Sequence, residues 1–543
     1  MTTATATATA TGAAPPPAER ERWWTRPALL WPTVFAIGNA IAFFILRPGV
    51  NDLWAARARA SAVEHGVGLD YWFSWFGGGS TPGNYSIVTP YLCAAIGTEV
   101  VGALAGVAAT VLVCAVLRGT PHETAAVWFG AVGVLSTMWS GRIPFLLGSV
   151  FALGALIAVR YGNRSLTVVL TLLGIAASPL AGAFLVLGLS GTFLTTRTKA
   201  YRPIIAYAAV TAGVALLLST LAFGAPGPEP FTDGLLLELA IAFLLLFAGP
   251  PDHLRTTFWV TMLAVVALWG VDNGVGSNIA RFVWFCLPVA VLALSTRRTI
   301  VAAVLVAPLV GIGAFTTLTD LRHAYDPVAS GEYYESLVAR LDKVPDLTTY
   351  RVELVDHGAR AGYDALLDHA LLARGWETQE DTALNLPLTQ DPLDPITYKA
   401  WLDNNAVGYV ALPSFTAGPY PEYKLVANHP PSYLSRIWGD RKWDLYRVAN
   451  PTPLVAPPAL VLAHDQKSMT IRVPCACTLA VRVRWSRVLL AALQKRSAAG
   501  AGWVDATPFV RARLVDDGTG WTVLTADAPG VYVLRGSLSG LLG

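Results

Sequence analysis

Asp52 comes directly after a long apolar run, in the stretch RPGVNDLW. Arg142 sits in WSGRIPF, where one apolar run gives way to the next, and Asp272, Asn278 and Arg281 sit in VDNGVGSNIARF. A carboxylate can take a proton from a hydroxyl as that hydroxyl attacks an electrophilic carbon. Guanidinium groups can hold a phosphate and stabilise the charge left on it. Arginine at the edge of a hydrocarbon layer is expensive, so such residues are functional candidates by default. Each also has a structural reading. Arg142 and Arg281 can snorkel or pair with carboxylates that pin helices, and Asp52 can cap a helix beginning at Leu53. Between these candidates runs DYWFSWFGGGSTPGNYSIVTPY, residues 70–91, which brings Asp70, Trp72, Phe73, Trp75 and Phe76 together. Its glycines are no nucleotide cradle, because no Gly-Lys-Ser/Thr follows them. Its rings suit a headgroup belt, as anchors or as substrate platforms.

The elements that position these groups are spans of a membrane. The chain has 543 residues, 54% of them hydrophobic and only 14% charged, with a mean hydropathy of +0.49. Soluble domains carry about 25% charged residues. The formal net charge of +3 is small and dispersed, which argues against a nucleic-acid surface. Apolar runs at about 29–46, 99–117, 122–138, 143–159, 165–178, 180–196, 203–223, 235–249, 256–270, 280–296 and 299–318 predict about eleven spans. Ser178-Pro179 marks either a hairpin or a break in one element.

Basic residues fall in every second connection: Arg20, Arg22 and Arg26; Arg118; Arg160 and Arg164; Arg197, Lys199 and Arg202; Arg255; Arg297 and Arg298. The positive-inside rule makes these cytoplasmic. Residues 47–98, 139–142, Ser178-Pro179, 224–234 and 271–279 are then external, as is everything after the last span. The candidates therefore gather on the outer face of a cytoplasmic membrane. A lipid-linked phosphosugar fits there, with its tail in the bilayer and its phosphate at headgroup level. Asp52 would be the base, and Arg142, Arg281, Asn278, Asp70, Asp272, Trp72 and Trp75 would line the substrate site.

The stretches GVNDLWAARA, GNYSIVTPYLCAAIG, WSGRIPFLLGSVFAL, GVGSNIARFVWF, LLARGWETQEDTALN and WLDNNAVGYVALP, over residues 30–450, resemble actinobacterial members of the GT-C superfamily of polyprenyl-phosphate-dependent glycosyltransferases. The resemblance implies a GT-C-like α-helical membrane domain. It also implies Asp52 as base, a polyprenyl-phosphate sugar of the mannose or arabinofuranose type as donor, and a cell-envelope glycan or lipid as acceptor. Superfamily members usually carry an acidic pair in the first loop, whereas this chain has Asn51-Asp52. A transporter or lipid flippase, and an inactive envelope-assembly scaffold, are the alternatives. The residues name no cofactor beyond the donor, and leave metal dependence open.

By domain, residues 1–28 read as a disordered cytoplasmic tail, 29–318 as the membrane domain, 319–450 as an external α/β domain and 458–543 as a small β-sandwich. EYYESLVARLDK and YDALLDHALLARGW have helical spacing, and YRVELVD, VGYVALP and KWDLYRVA read as strands. PTPLVAPP reads as a linker. Arg374, Trp376, Glu377 and Gln379 are candidates to roof the membrane site. Trp485, Trp503 and Trp521 are either sandwich core or a carbohydrate surface. Of the five cysteines (Cys93, Cys114, Cys286, Cys475 and Cys477), the last two form a C-x-C read as two small strand residues, with a redox or metal role the alternative.

Overall fold

The computed structural model describes residues 27–74, 83, 85–223, 227–355, 360–375, 377–415, 420–496, 503–505 and 511–537. The predicted tail, the basic residues before the first span, Trp75, Phe76, the glycine run and Trp376 lie outside them.

Helix α1 (Pro27–Leu46) is followed by α2 (Asn51–Glu64) and α3 (Thr89–Ile96), both within the long first connection. Then come α4 (Thr98–Leu117), α5 (Glu123–Trp139), α6 (Ile143–Arg160), α7 (Arg164–Ala177), α8 (Pro179–Leu194) and α9 (Arg202–Phe223). Helix α10 (Asp233–Ala240) tightens into a 3-10 helix over Ile241–Ala248, and α11 spans Asp252–Gly270. A 3-10 turn at Gly276–Ile279 and a π-helical turn at Phe282–Cys286 lead into α12 (Leu287–Ala293), and α13 (Thr299–His323) closes the series. Every predicted apolar run is helical. Among the described residues six helices are long and apolar enough to cross a membrane: Leu29–Leu46, Thr98–Leu117, Ile143–Arg160, Lys199–Phe223, Gly276–Ala293 and Thr299–His323. Val210, Val214, Leu217, Leu218 and Leu221 stand out from α9 with more than half their surface exposed. An apolar stripe of that length needs hydrocarbon around it.

Ser178 and Pro179 end α7 and start α8. The carbonyls orphaned at the end of α7 are satisfied by the first connection: Ile87 and Val88 N–H donate to Ala176 O at 2.8 and 3.0 Å, and Thr89 Oγ1 donates to Ala177 O at 3.1 Å. This pins the segment carrying Tyr85 to the α7–α8 corner.

After α13 the chain builds helices α14 (Glu335–Leu341), α15 (Ala361–Ala365), α16 (Thr378–Leu384), α17 (Pro395–Asn404) and α18 (Pro421–Asn428) around a four-stranded sheet. Its strands β1 (Arg351–Leu354), β2 (Val407–Pro413), β3 (Leu434–Gly439) and β4 (Trp443–Val448) are ordered β1-β2-β4-β3. β1 and β2 are parallel and the other pairs antiparallel. The helix expected over YDALLDHALLARGW covers only its first residues. Leu372 instead bridges to Val352 beside β1, because Leu371, Leu372 and Ala373 are buried against that sheet.

Strands β5 (Leu460–His464), β6 (Ser468–Val473), β7 (Cys477–Arg484), β8 (Leu489–Arg496), β9 (Trp503–Asp505), β10 (Arg511–Asp516), β11 (Trp521–Ala526) and β12 (Gly530–Gly536) follow; seven of them form the path β5-β6-β12-β8-β10-β11-β7, and β9 pairs with β8. β10 links the two ends of this path, pairing with β8 and with β11, around a core that includes Met469, Ile471, Val481, Leu524 and Leu534. Trp521 is buried, with Arg484 3.8 Å from its ring centroid, so it serves packing. The expected linker PTPLVAPP is packed as well. Leu454 and Val455 belong to the β-domain core, and Leu454 N–H donates to Thr349 O at 2.9 Å. Cys475 and Cys477 are joined by a disulfide at the turn between β6 and β7, which corrects their reading as merely two small strand residues.

The aromatic segment also differs from expectation. Tyr71, Trp72, Phe73 and Ser74 are buried between the two C-terminal cores. Trp72 Nε1 donates to Gln466 Oε1 at 3.1 Å, Tyr71 Oη to Arg484 O at 2.7 Å and Ser74 Oγ to Leu367 O at 3.0 Å. Asp70 packs against Gly536 of β12. This stretch straps the first connection to the C-terminal domains instead of resting on lipid. Cover from residues 367, 466 and 484 makes burial in protein available, and burying three rings there removes more apolar area from water than a half-immersed headgroup position does.

Candidate functional site

Val50 is extended at φ −76°, ψ 147°, and α2 starts at Asn51, so Asp52 lies in its first turn, where a carboxylate is favoured by the helix dipole. Among the described residues its side chain caps no backbone N–H. It accepts instead from Arg142 Nε at 3.2 Å. Arg142 Nη2 also lies 3.5 Å from Asp320 Oδ2, at the end of α13. One guanidinium thus clamps α2, the α5–α6 corner and α13 together.

Gly141 makes that approach possible. Its φ is +75°, and a Cβ there would lie 2.5 Å from the Leu53 amide nitrogen and 2.8 Å from Val50 Cγ2. Ser140 Oγ donates to Thr317 Oγ1 at 3.1 Å, which anchors the corner from the other side. Gly141→Ala is expected to cost about 1–3 kcal/mol from the left-handed backbone alone and to push Asn51–Leu53 away from Arg142. Gly141→Asn should fare no better, although asparagine tolerates positive φ, because the clash is with backbone. The unfolding midpoint of both variants in detergent checks this.

Arg281 has a different environment. Among the described residues it makes no hydrogen bond or ion pair, and its guanidinium carbon lies 5.6 Å from the Phe145 ring centroid. It immediately precedes the π-helical turn at Phe282–Cys286, a distortion frequent at functional sites. Arg281 stands where two cavities meet. One, of about 270 Å³, is apolar and runs between α4, α5, α6 and α8, past Val113, Gly133, Leu153, Phe184, Leu185 and Phe285. The other, of about 460 Å³, is polar and is lined by Asn51, Asp52, Tyr85, Ser178, Glu229, Asn278, Arg281, Arg360, Glu377, Thr378 and Gln379, among others. A side recess of about 330 Å³ shares Asn51, Asp52, Glu229, Asn278 and Arg281 and adds Arg142 and Asp320.

The structure therefore brings Asp52, Arg142, Arg281 and Asn278 into one chamber. Asp70 and Trp72 line none of these cavities. Asp272 is exposed, and its neighbour Asn273 shapes the loop by accepting from Val275 and Gly276 N–H at 2.9 and 2.7 Å. All five connections read as external, together with the C-terminal domain, contribute to this end of the helices. The connections rich in arginine gather at the other end, where Arg202 Nε donates to Phe193 O at 2.6 Å and His122 Nδ1 pairs with Thr299 Oγ1 at 2.8 Å.

Four lining residues carried no weight in the sequence. Glu229, in GAPGPEPFTD, accepts from Ser277 Oγ at 2.9 Å, and its backbone N–H donates to Asn273 O at 2.8 Å. Burial pushes its carboxyl above the usual range. Asp320 is the one acid in the last apolar helix, and an acid so close to a span was a usable signal. Tyr85 and Arg360 gave none. Of the expected roof, Glu377 and Gln379 line the chamber, whereas Arg374 lies one layer behind them in the domain interior. Among the described residues no group of three or more His, Cys, Asp or Glu side chains is arranged to hold a metal ion.

No family model matches the chain, and no curated protein matches it. Among solved structures it is similar to the crystal structure of ArnT from Cupriavidus metallidurans bound to undecaprenyl phosphate. The identity is 11% and the TM-score 0.39, over 77% of this chain and 99% of that one.

Proposed function

We propose that the protein is a GT-C-type membrane glycosyltransferase of an actinobacterium. It moves a mannose- or arabinofuranose-type sugar from a polyprenyl phosphate to a cell-envelope glycan or lipid. It crosses the cytoplasmic membrane eleven times, with the N-terminus inside and the chamber and C-terminal domains outside. The carrying observation is Arg281: a guanidinium without a protein acceptor among the described residues, at the junction of an apolar channel and a polar chamber. That junction suits a ligand with a hydrocarbon tail and an anionic head. The Cys475–Cys477 disulfide supports the outward orientation, since disulfides persist in oxidising compartments.

In this reading Asp52 takes the proton of the acceptor hydroxyl as its oxygen bonds to the anomeric carbon. The bond from that carbon to the phosphate oxygen breaks, and the departing phosphate keeps the electron pair beside Arg281. Arg142 is a positioning residue, because its own donors are engaged by Asp52 and Asp320. That same engagement of Asp52 favours the scaffold as second reading.

Titration of purified protein with a polyprenyl phosphate tests the proposal. Arg281→Ala should weaken binding about 10- to 100-fold, the worth of charge-assisted hydrogen bonds, with Arg281→Lys in between. Binding of the corresponding polyprenol, which lacks the phosphate, should not change. Equal phosphate-lipid affinity in wild type and Arg281→Ala overturns the assignment.

A further inference from the structure

The polar chamber has two ends of different chemistry. Arg281 and the apolar channel form one. The other is a roof from the C-terminal domain: Arg360, Glu377, Thr378 and Gln379. This roof is tightly seated, since a Cβ on Gly227 would lie 2.0 Å from Gln379 O, so the loop carrying Glu229 runs directly beneath α16.

Glu377 is only 7% exposed, and what remains open faces the chamber. Among the described residues its carboxylate makes no hydrogen bond or ion pair. Buried polar groups are nearly always hydrogen-bonded, and one that is not asks for a partner from outside the chain. Burial, with Glu380 and Glu229 adding repulsion against the pull of Arg59, drives its carboxyl well above the usual range. This favours the neutral form, which can donate a hydrogen bond as well as accept one. A neutral carboxyl at Glu377 offers a donor and an acceptor without a charge to hold a counter-ion. The remaining roof groups, an amide, a hydroxyl and a guanidinium, suit a ligand of many hydroxyls.

We infer that Glu377, Thr378, Gln379 and Arg360 form a subsite for an uncharged, hydroxyl-rich glycan, the acceptor. The word acceptor rests on the transferase reading; the glycan subsite does not. The C-terminal domain then selects the acceptor, while the membrane domain holds the donor, and the two bind independently.

The test is direct binding to full-length protein in nanodiscs, using neutral mannose and arabinofuranose oligosaccharides and, separately, a polyprenyl phosphate. Wild type should bind a neutral oligosaccharide saturably. Glu377→Ala and Gln379→Ala should each weaken it about tenfold, a hydrogen bond or two. Glu377→Gln, which keeps a donor and an acceptor, should restore most of it. All three should bind the phosphate lipid as wild type does, whereas Arg281→Ala should lose the lipid and keep the oligosaccharide. Failure of wild type to bind any neutral oligosaccharide overturns the subsite, as does binding only of amine-bearing ones, or loss of lipid and not glycan in the Glu377 variants. Glycan binding that depends on Glu377, in a protein that binds no phosphate lipid, upholds the subsite and sinks the transferase.

Discussion

Asp52→Asn is expected to lower sugar transfer from a polyprenyl-phosphate donor by about 10²–10⁴-fold, the usual worth of a general base, while the protein still folds and inserts. Asparagine preserves the shape of the side chain and can still accept from Arg142 Nε, so the clamp on Asp320 keeps one of its two arms in place and the other in weakened form. What disappears is the basic oxygen in the chamber. Binding of the phosphate lipid should persist, because Arg281 is untouched, and that separates loss of chemistry from loss of substrate. Transfer of labelled sugar in proteoliposomes, beside lipid binding and the unfolding midpoint, makes the measurement. Unchanged transfer would remove Asp52 from its role and leave the Asp52–Arg142 pair as a structural tie.

The second large effect is expected outside the membrane. Arg374→Met should destabilise the C-terminal domain by about 3–5 kcal/mol, the penalty for breaking a buried ion pair from one side. Arg374 donates to both oxygens of Asp381, from Nε at 2.9 Å and Nη2 at 2.6 Å, and to Glu422 Oε1 at 2.7 Å, with Glu353 Oε1 3.8 Å away. Those contacts join β1, α16 and α18. Burial lowers the affinity of the guanidinium for its proton, but the three carboxylates outweigh it and hold Arg374 firmly charged. Without the arginine the carboxyls remain buried and become reluctant to ionise. Their folded-state pKa values then lie above the unfolded ones. The native state binds more protons, and the variant loses stability as pH rises through that window. Urea unfolding followed by tryptophan fluorescence should therefore show a deficit that is largest at neutral pH and shrinks toward pH ~4. A deficit independent of pH would assign the loss to packing. Because α16 carries the roof of the chamber, glycan binding should weaken in parallel.

The arginines at 142 and 281 illustrate how far the residues alone reach. Both stand at the edge of apolar runs and carry identical signals. The fold gives one of them two carboxylates and leaves the other facing a cavity. Glu229 is harder still: it is an ordinary acid in a polar stretch, and only lining a chamber shared by two domains makes it notable, whereas the unusually polar stretch around Glu377 already marks that residue as a candidate roof. The DYWF stretch misled for the converse reason. Its aromatics match a lipid interface as well as a protein core, and nothing within the loop decides between them.

By itself the sequence determined the position of every apolar helix and the alternation of basic and non-basic connections, and with it the end of the helices on which the polar groups meet. Those are local properties: a helix in hydrocarbon must be long and apolar enough where it stands, and charges follow the nearest connection. Which acid faces which arginine, which rings are buried in protein, and what closes the chamber were decided only in the tertiary structure. The deciding contacts join residues far apart in the chain, such as Asp52 with Arg142 and Trp72 with Gln466. Whether a charge is paired or open depends on what the rest of the fold brings beside it.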